Sequence, residues 1–145
     1  MHIAILLAGH TNKAMPRRFH DYHDLFTILF QGLPNSEDFC FTTLAVVDDI
    51  FPNHPDDYDG YLISGSAYGV YDDAPFIPRL IDLIQKIHQA KKPIFGVCFG
   101  HQIIAHALGG HAQKWSEGWG LGIRPVKLLA PCPWMVDGEV KATLN

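Results

Sequence analysis

Lys92-Pro93-Ile94-Phe95-Gly96-Val97-Cys98-Phe99-Gly100-His101-Gln102-Ile103-Ile104-Ala105-His106-Ala107-Leu108-Gly109-Gly110 decides how this chain is read. The apolar run Pro93 to Val97 predicts a buried strand, and the spacing from Gly100 to Leu108 predicts a helix, which Gly109 and Gly110 close. Between them the chain turns abruptly at Cys98. Gly96 and Gly100 stand two positions either side of that cysteine and remove the side chains that would block a sharp strand-to-helix turn around a residue with unfavourable φ/ψ. Packing alone does not put a cysteine at such a corner. The spacing is that of a nucleophile elbow with sulfur in place of oxygen.

Outward from this corner, the rest of the chain supplies more strands and helices in alternation. His2 to Leu7 is a short apolar run stopped by Ala8-Gly9-His10, the pattern of a strand buried on both faces. Apolar residues from Phe19 to Phe30 keep helical spacing, and Gly32-Leu33-Pro34 ends them. Phe39 to Val47 predicts a second strand, with a Pro- and Asp-rich loop after it. Gly60 to Gly65 predicts a third strand and its exit turn. Phe76 to Ala90 is the strongest helix signal, with Pro75 at its start and Lys91-Lys92-Pro93 at its end. Strands alternating with helices imply an α/β fold: a mostly parallel sheet with helices on both faces and all C-terminal strand ends at one edge. Ligands bind at that edge, so Gly9-His10, Ser64-Gly65-Ser66-Ala67 and Cys98 are expected to meet there. Beyond Gly110, His111 to Trp115 and Leu121 to Leu129 read as two strands of an antiparallel extension, and Asp137-Gly138 as a hairpin turn.

Bulk properties narrow the function. The chain has 145 residues, 48% hydrophobic and 18% charged, which suits one domain over 1–145 with a single core. A net charge of −4 and the lack of any long basic run argue against a nucleic-acid partner. No apolar run approaches the roughly 18 residues a membrane span needs, and no leader pattern opens the chain. We therefore expect a cytoplasmic protein without a membrane partner. Cys40, Cys98 and Cys132 are an odd set at irregular spacing, which fits neither a disulfide framework nor a zinc site, so no metal and no cofactor are expected.

Chemistry at the corner depends on its place at a helix start. A thiol at a helix N-terminus faces unpaired backbone N–H groups and the positive end of the helix dipole, which favours the attacking thiolate. The Phe99 amide points into the same space, and Ser64-Gly65-Ser66 is placed to supply a second oxyanion donor. Taken alone, Cys98 leaves a buried structural cysteine the better explanation, since free Cys is among the most buried residue types.

Gly96-Val97-Cys98-Phe99-Gly100-His101-Gln102 resembles the Gly-x-Cys-x-Gly-x-Gln signature of class I, triad-type glutamine amidotransferase domains, and Ala107-Leu108-Gly109-Gly110 is similar to the segment just downstream in those domains. Asp59 to Ser66, continued by Val70-Tyr71-Asp72-Asp73-Ala74-Pro75, resembles the oxyanion-strand segment of the free-standing members similar to the GMP synthase glutaminase domain. Ser116-Glu117-Gly118-Trp119-Gly120 resembles the γ-glutamyl peptidase branch. The likeness spans Met1 to about Leu129 and implies a flavodoxin-like fold. It also implies that Cys98 attacks the side-chain amide of glutamine or another γ-glutamyl compound, giving a γ-glutamyl thioester and releasing ammonia or an amine. Phe99 and the backbone of Gly65 or Ser66 would form the oxyanion hole, and Gln102 would sit by the glutamyl group. Ser66-Ala67 departs from the Gly-Pro of the GMP synthase branch.

The resemblance also implies a downstream His-x-Glu, base and orienting carboxylate, and no such tripeptide occurs in the sequence. His101 and His106 ride on the elbow helix, and His111 opens the next segment. The expectation is a C-terminally truncated domain, whose uncovered surface would favour self-association. An ammonia-accepting synthase partner goes with the leading reading, since no Gly-rich ATP loop is present. Two alternatives stand beside it: a catalytically inactive ligand-binding or regulatory protein of the same fold, and a redox-sensing cysteine protein.

Overall fold

The computed structural model describes residues 1–11, 21–32, 35–116, 118, 122–125 and 141–144, and the chain divides into two units, Met1–Lys114 and Trp115–Asn145. The first unit holds four parallel strands, β1 (His2–Leu6), β2 (Cys40–Leu44), β3 (Gly60–Ile63) and β4 (Ile94–Gly96), in the order β2-β1-β3-β4. Three helices accompany them: α1 (Tyr22–Gln31), α2 (Phe76–Gln89) and α3 (Phe99–Ala107). This is the mostly parallel α/β architecture expected from the alternation of strand and helix patterns.

Alternation along β1 splits the core between the two sheet faces. Ala4 and Leu6, with Ala8 beyond the strand, join one cluster with Ile63, the α2 residues Leu80, Ile84 and Ile87, and the α3 residues Phe99 and Ile103. Ile3, Ile5 and Leu7 join a second cluster with Leu62 and Phe26 of α1. Register sets Leu6 beside Ile63 and Ile63 beside Gly96, so β1, β3 and β4 end level with one another. Helix α1 starts where Asp21 caps it, its side chain accepting from the Tyr22 amide at 2.7 Å. Helix α2 has no side-chain cap and starts from Pro75, whose fixed φ suits a helix start. No helix among the described residues is long and apolar enough to cross a membrane.

Three sequence expectations change. The strand expected over Phe39 to Val47 is only Cys40–Leu44, because Val46–Asp48 curls into a 3₁₀ turn. There the Asp48 amide bonds Ala45 at 2.9 Å and the Val47 amide bonds Leu7 at 3.1 Å. The strand before Cys98 is not buried: β4 is the last strand of the sheet among the described residues, and Phe95 is 61% and Val97 38% exposed. His111 to Trp115 forms no strand, and the His111 ring bonds instead to the Gln113 side chain at 3.1 Å. In the second unit β5 (Gly122–Pro125) pairs antiparallel with β6 (Lys141–Leu144), not with 111–115. The Asp137-Gly138 turn, the helix start at Phe19 and His20, and Glu117, Trp119 and Cys132 lie outside the described residues.

Candidate active site

At the level strand ends, Cys98 forms the corner between β4 and α3 with φ 54° and ψ −108°. That conformation is costly for a residue with a Cβ and persists only where its surroundings over-determine it. Here they do. The Val97 amide bonds Ile63 at 3.0 Å, the Gly100 amide bonds Val97 at 2.9 Å, and the Gln102 amide bonds the Cys98 carbonyl at 3.1 Å. The two flanking glycines are demanded by space. A Cβ on Gly96 would lie 2.2 Å from the Gly100 carbonyl carbon, and one on Gly100 would lie 2.4 Å from the Ile63 oxygen. Helix α3 is therefore pressed against β3 and β4, and Phe99, 1% exposed and 6.2 Å from the Phe76 ring, anchors its first turn.

Cys98 itself is a free, exposed thiol. Phe99 is the first residue of α3, so its amide is one of the donors that has no intrahelical carbonyl. Across the site, the loops after β1 and β3 are tied together. The buried Ser64 hydroxyl accepts from the Ala8 amide at 3.0 Å and donates to the Gly65 carbonyl at 2.9 Å. The Ser66 hydroxyl donates to the Ala8 carbonyl at 2.7 Å and accepts from the Tyr68 amide at 3.1 Å. Both serine side chains are thus engaged in shaping the loop, which leaves backbone groups as its contribution to the site. Gly65 borders Cys98 directly: a Cβ there would lie 3.8 Å from the Cys98 Cβ. Gln102 is exposed on the first turn of α3.

Sequence reasoning missed Tyr22. It counted that residue only as part of a helical stripe, yet the Tyr22 hydroxyl oxygen lies 3.4 Å from the same Gly65 Cβ position. Burial, and secondarily the nearby Cys98, hold its phenol above the ordinary tyrosine value. One topological signal was available: the first residue of a helix that follows a strand starts near the ligand-binding edge of the sheet.

Histidines do not complete the corner. Among the described residues none is hydrogen-bonded to Cys98: His101 is exposed, the His106 Nδ1 is buried without a partner, and His111 bonds Gln113. A His–carboxylate pair does exist at this edge, His10 Nε2 to Asp48 at 2.9 Å. It belongs to the β1 side, two strands from β4 and so about 10 Å across the sheet.

The model of the class-I glutamine amidotransferase family matches residues 38–130, which takes in the corner, the β3 loop and both flanking glycines. The chain belongs to the class-I glutamine amidotransferase family. Gamma-glutamyl peptidase 3 of Arabidopsis thaliana is 32% identical over 127 residues, covering 86% of this chain and 49% of the relative. The glutamine-hydrolyzing GMP synthase of Wolbachia pipientis wMel is 29% identical over 113 residues, 70% of this chain and 22% of that protein. A glutamine amidotransferase structure from Methylobacillus flagellatus overlays with a TM-score of 0.59 at 23% identity, over 83% of this chain and 43% of its own, a likeness of fold. The chain spans about half the length of the peptidase relative it matches.

Proposed function

We propose that the protein cleaves the amide of glutamine or of another γ-glutamyl compound through a thioester on Cys98. The observation that carries this reading is the strained, exposed Cys98 corner, held between two glycines whose Cβ positions are filled by backbone. Structures keep such strain where function uses it. The Cys98 sulfur bonds to the γ-carbonyl carbon, the C–N bond breaks, and the thiol proton ends on the departing nitrogen as ammonia or an amine. Water then cleaves the thioester, giving glutamate with a free γ-carboxylate and restoring the thiol. The Phe99 amide and the backbone of Gly65 or Ser66 hold the oxyanion, and Gln102 lies beside the glutamyl group. In this reading 1–145 is part of one amidotransferase domain. Because one relative is a GMP synthase and another a carbamoyl phosphate synthase small chain, a synthase that accepts the ammonia is the partner we would seek first.

Glutamate release from glutamine and from a γ-glutamyl dipeptide, measured on the full protein and on Cys98→Ala, tests the proposal. Release in the wild type that falls to background in the variant is expected, and equal rates in both would refute it. A binding or regulatory role with the same pocket is the second reading, favoured by the lack of any histidine bonded to Cys98 among the described residues. Its signature is labelling of Cys98 by a glutamine-like electrophile with no turnover.

A further inference from the structure

The space between Tyr22, Gly65 and Cys98 has a use that the family signature does not assign. Tyr22 opens α1, with its amide fixed to the Asp21 side chain and its ring stacked on Phe26 at 6.1 Å. Those two contacts aim the phenol from the α1 face of the sheet toward the β3 loop. The vacant Cβ position of Gly65 lies 3.4 Å from the Tyr22 hydroxyl oxygen and 3.8 Å from the Cys98 Cβ. Gly65 is therefore the floor of a gap about one methyl group wide, with an O–H on one wall and the elbow cysteine on the other.

We propose that Tyr22 is a substrate-binding residue of the acyl site, donating its O–H to the acyl oxygen of a γ-glutamyl group seated in this gap while the acyl carbon meets the Cys98 sulfur. Three observations agree with a donor here. The phenol is held above its usual value by burial and by Cys98, so it keeps its proton at neutral pH. No acceptor among the described residues is hydrogen-bonded to that hydroxyl. Finally, Gly65 is not required by the fold: a Cβ would make only contacts of 3.4, 3.8 and 4.0 Å, all ordinary van der Waals distances. Its missing side chain leaves room for a ligand, whereas those of Gly96 and Gly100 leave room for backbone.

This inference rests on the γ-glutamyl thioester reading, and two reagents separate the two. An activated γ-glutamyl ester acylates sulfur through an oxyanion. Iodoacetamide alkylates it without one. Both are followed at Cys98 by peptide mass spectrometry on the full protein, with Cys98→Ala as background. Tyr22→Phe, which keeps the stacked ring, is expected to slow acylation about 100-fold and to leave alkylation within about twofold. Gly65→Ala should melt close to the wild type and lose acylation by a similar factor, because a methyl fills the gap. Acylation unchanged in Tyr22→Phe, or a parallel fall in both reactions, overturns the role of Tyr22 and leaves the thioester reading standing. No acylation of the wild type at Cys98 overturns both.

Discussion

Cys98→Gly is expected to make the protein more stable while abolishing its chemistry. Cys98 sits at φ 54° and ψ −108°, held there by hydrogen bonds on either side of it. A side chain in so sparsely populated a region costs of order 1–3 kcal/mol, and glycine has no Cβ to clash. Against this relief stands the greater freedom of glycine in the unfolded chain, about 0.5–1 kcal/mol. The thiol is exposed, so its removal forfeits little buried area. The balance runs from about zero to about 2.5 kcal/mol, centred near 1 kcal/mol, which is about 3–4 °C in melting temperature for a chain of this size. Cys98→Ala is the control, since it removes the sulfur and keeps the Cβ. Its stability should stay within about 0.5 kcal/mol of the wild type. Urea denaturation under reducing conditions, with all three proteins compared at their midpoints, measures the difference. If Cys98→Gly is no more stable than Cys98→Ala, the corner stores no strain, and strain cannot mark it as a functional site.

Two further perturbations probe the frame around the corner. Gly100→Ala would put a Cβ 2.4 Å from the Ile63 oxygen and 3.0 Å from the Ile63 Cβ. The helix must then back away from β3, at a cost of about 1–3 kcal/mol, and wild-type stability by calorimetry would contradict the packing described. Tyr61 bears on alkaline stability: burial, with the Asp57 carboxylate second, pushes its phenol up to about 12, and it donates to the Pro55 carbonyl at 2.9 Å. Between roughly pH 10, where an unfolded tyrosine titrates, and pH 12, the unfolded chain releases this proton first. Stability therefore falls with rising pH across that window. Tyr61→Phe should flatten that part of the fall in pH-dependent melting curves, and an unaltered slope would count against the assignment.

What the sequence revealed was whatever depends on neighbours in sequence. The turn at Cys98 was legible because its cause, two glycines at fixed offsets, lies within five residues. Helix α2 was legible because Pro75, a regular apolar stripe and a basic end agree with one another. What escaped depends on distant partners. Phe95 lies in register with Leu62 but outside the cluster that covers that face, and Val97 is exposed with it; no local pattern separates a covered strand from an uncovered one of the same composition. The strand expected at His111 to Trp115 had acceptable residues, but the described ladder joins β5 to β6 instead. Tyr22 escaped because a tyrosine at helical spacing looks like core, and its hydroxyl meets Gly65, a residue distant in sequence, only in the folded chain.

The site therefore divides along a physical line. The groups that the proposed reaction would use to seat and attack an acyl group lie in the unit Met1–Lys114: the strained thiol, the amide at the start of α3, the β3 loop tied to Ala8 by two serines, and the gap over Gly65. Each part is fixed by backbone packing or by hydrogen bonds that need no substrate to form, which is the preorganisation that electrostatic catalysis requires. Proton transfer is a separate matter, because among the described residues no histidine is bonded to Cys98 and the His10–Asp48 pair stands on the far side of β3. Acylation by a reagent with a good leaving group needs only the first half, whereas expelling an amine needs the second as well. Activated esters and amides would thus interrogate different halves of the proposed reaction, and the ratio of their rates at Cys98 would measure whether a proton-transfer group acts on the corner.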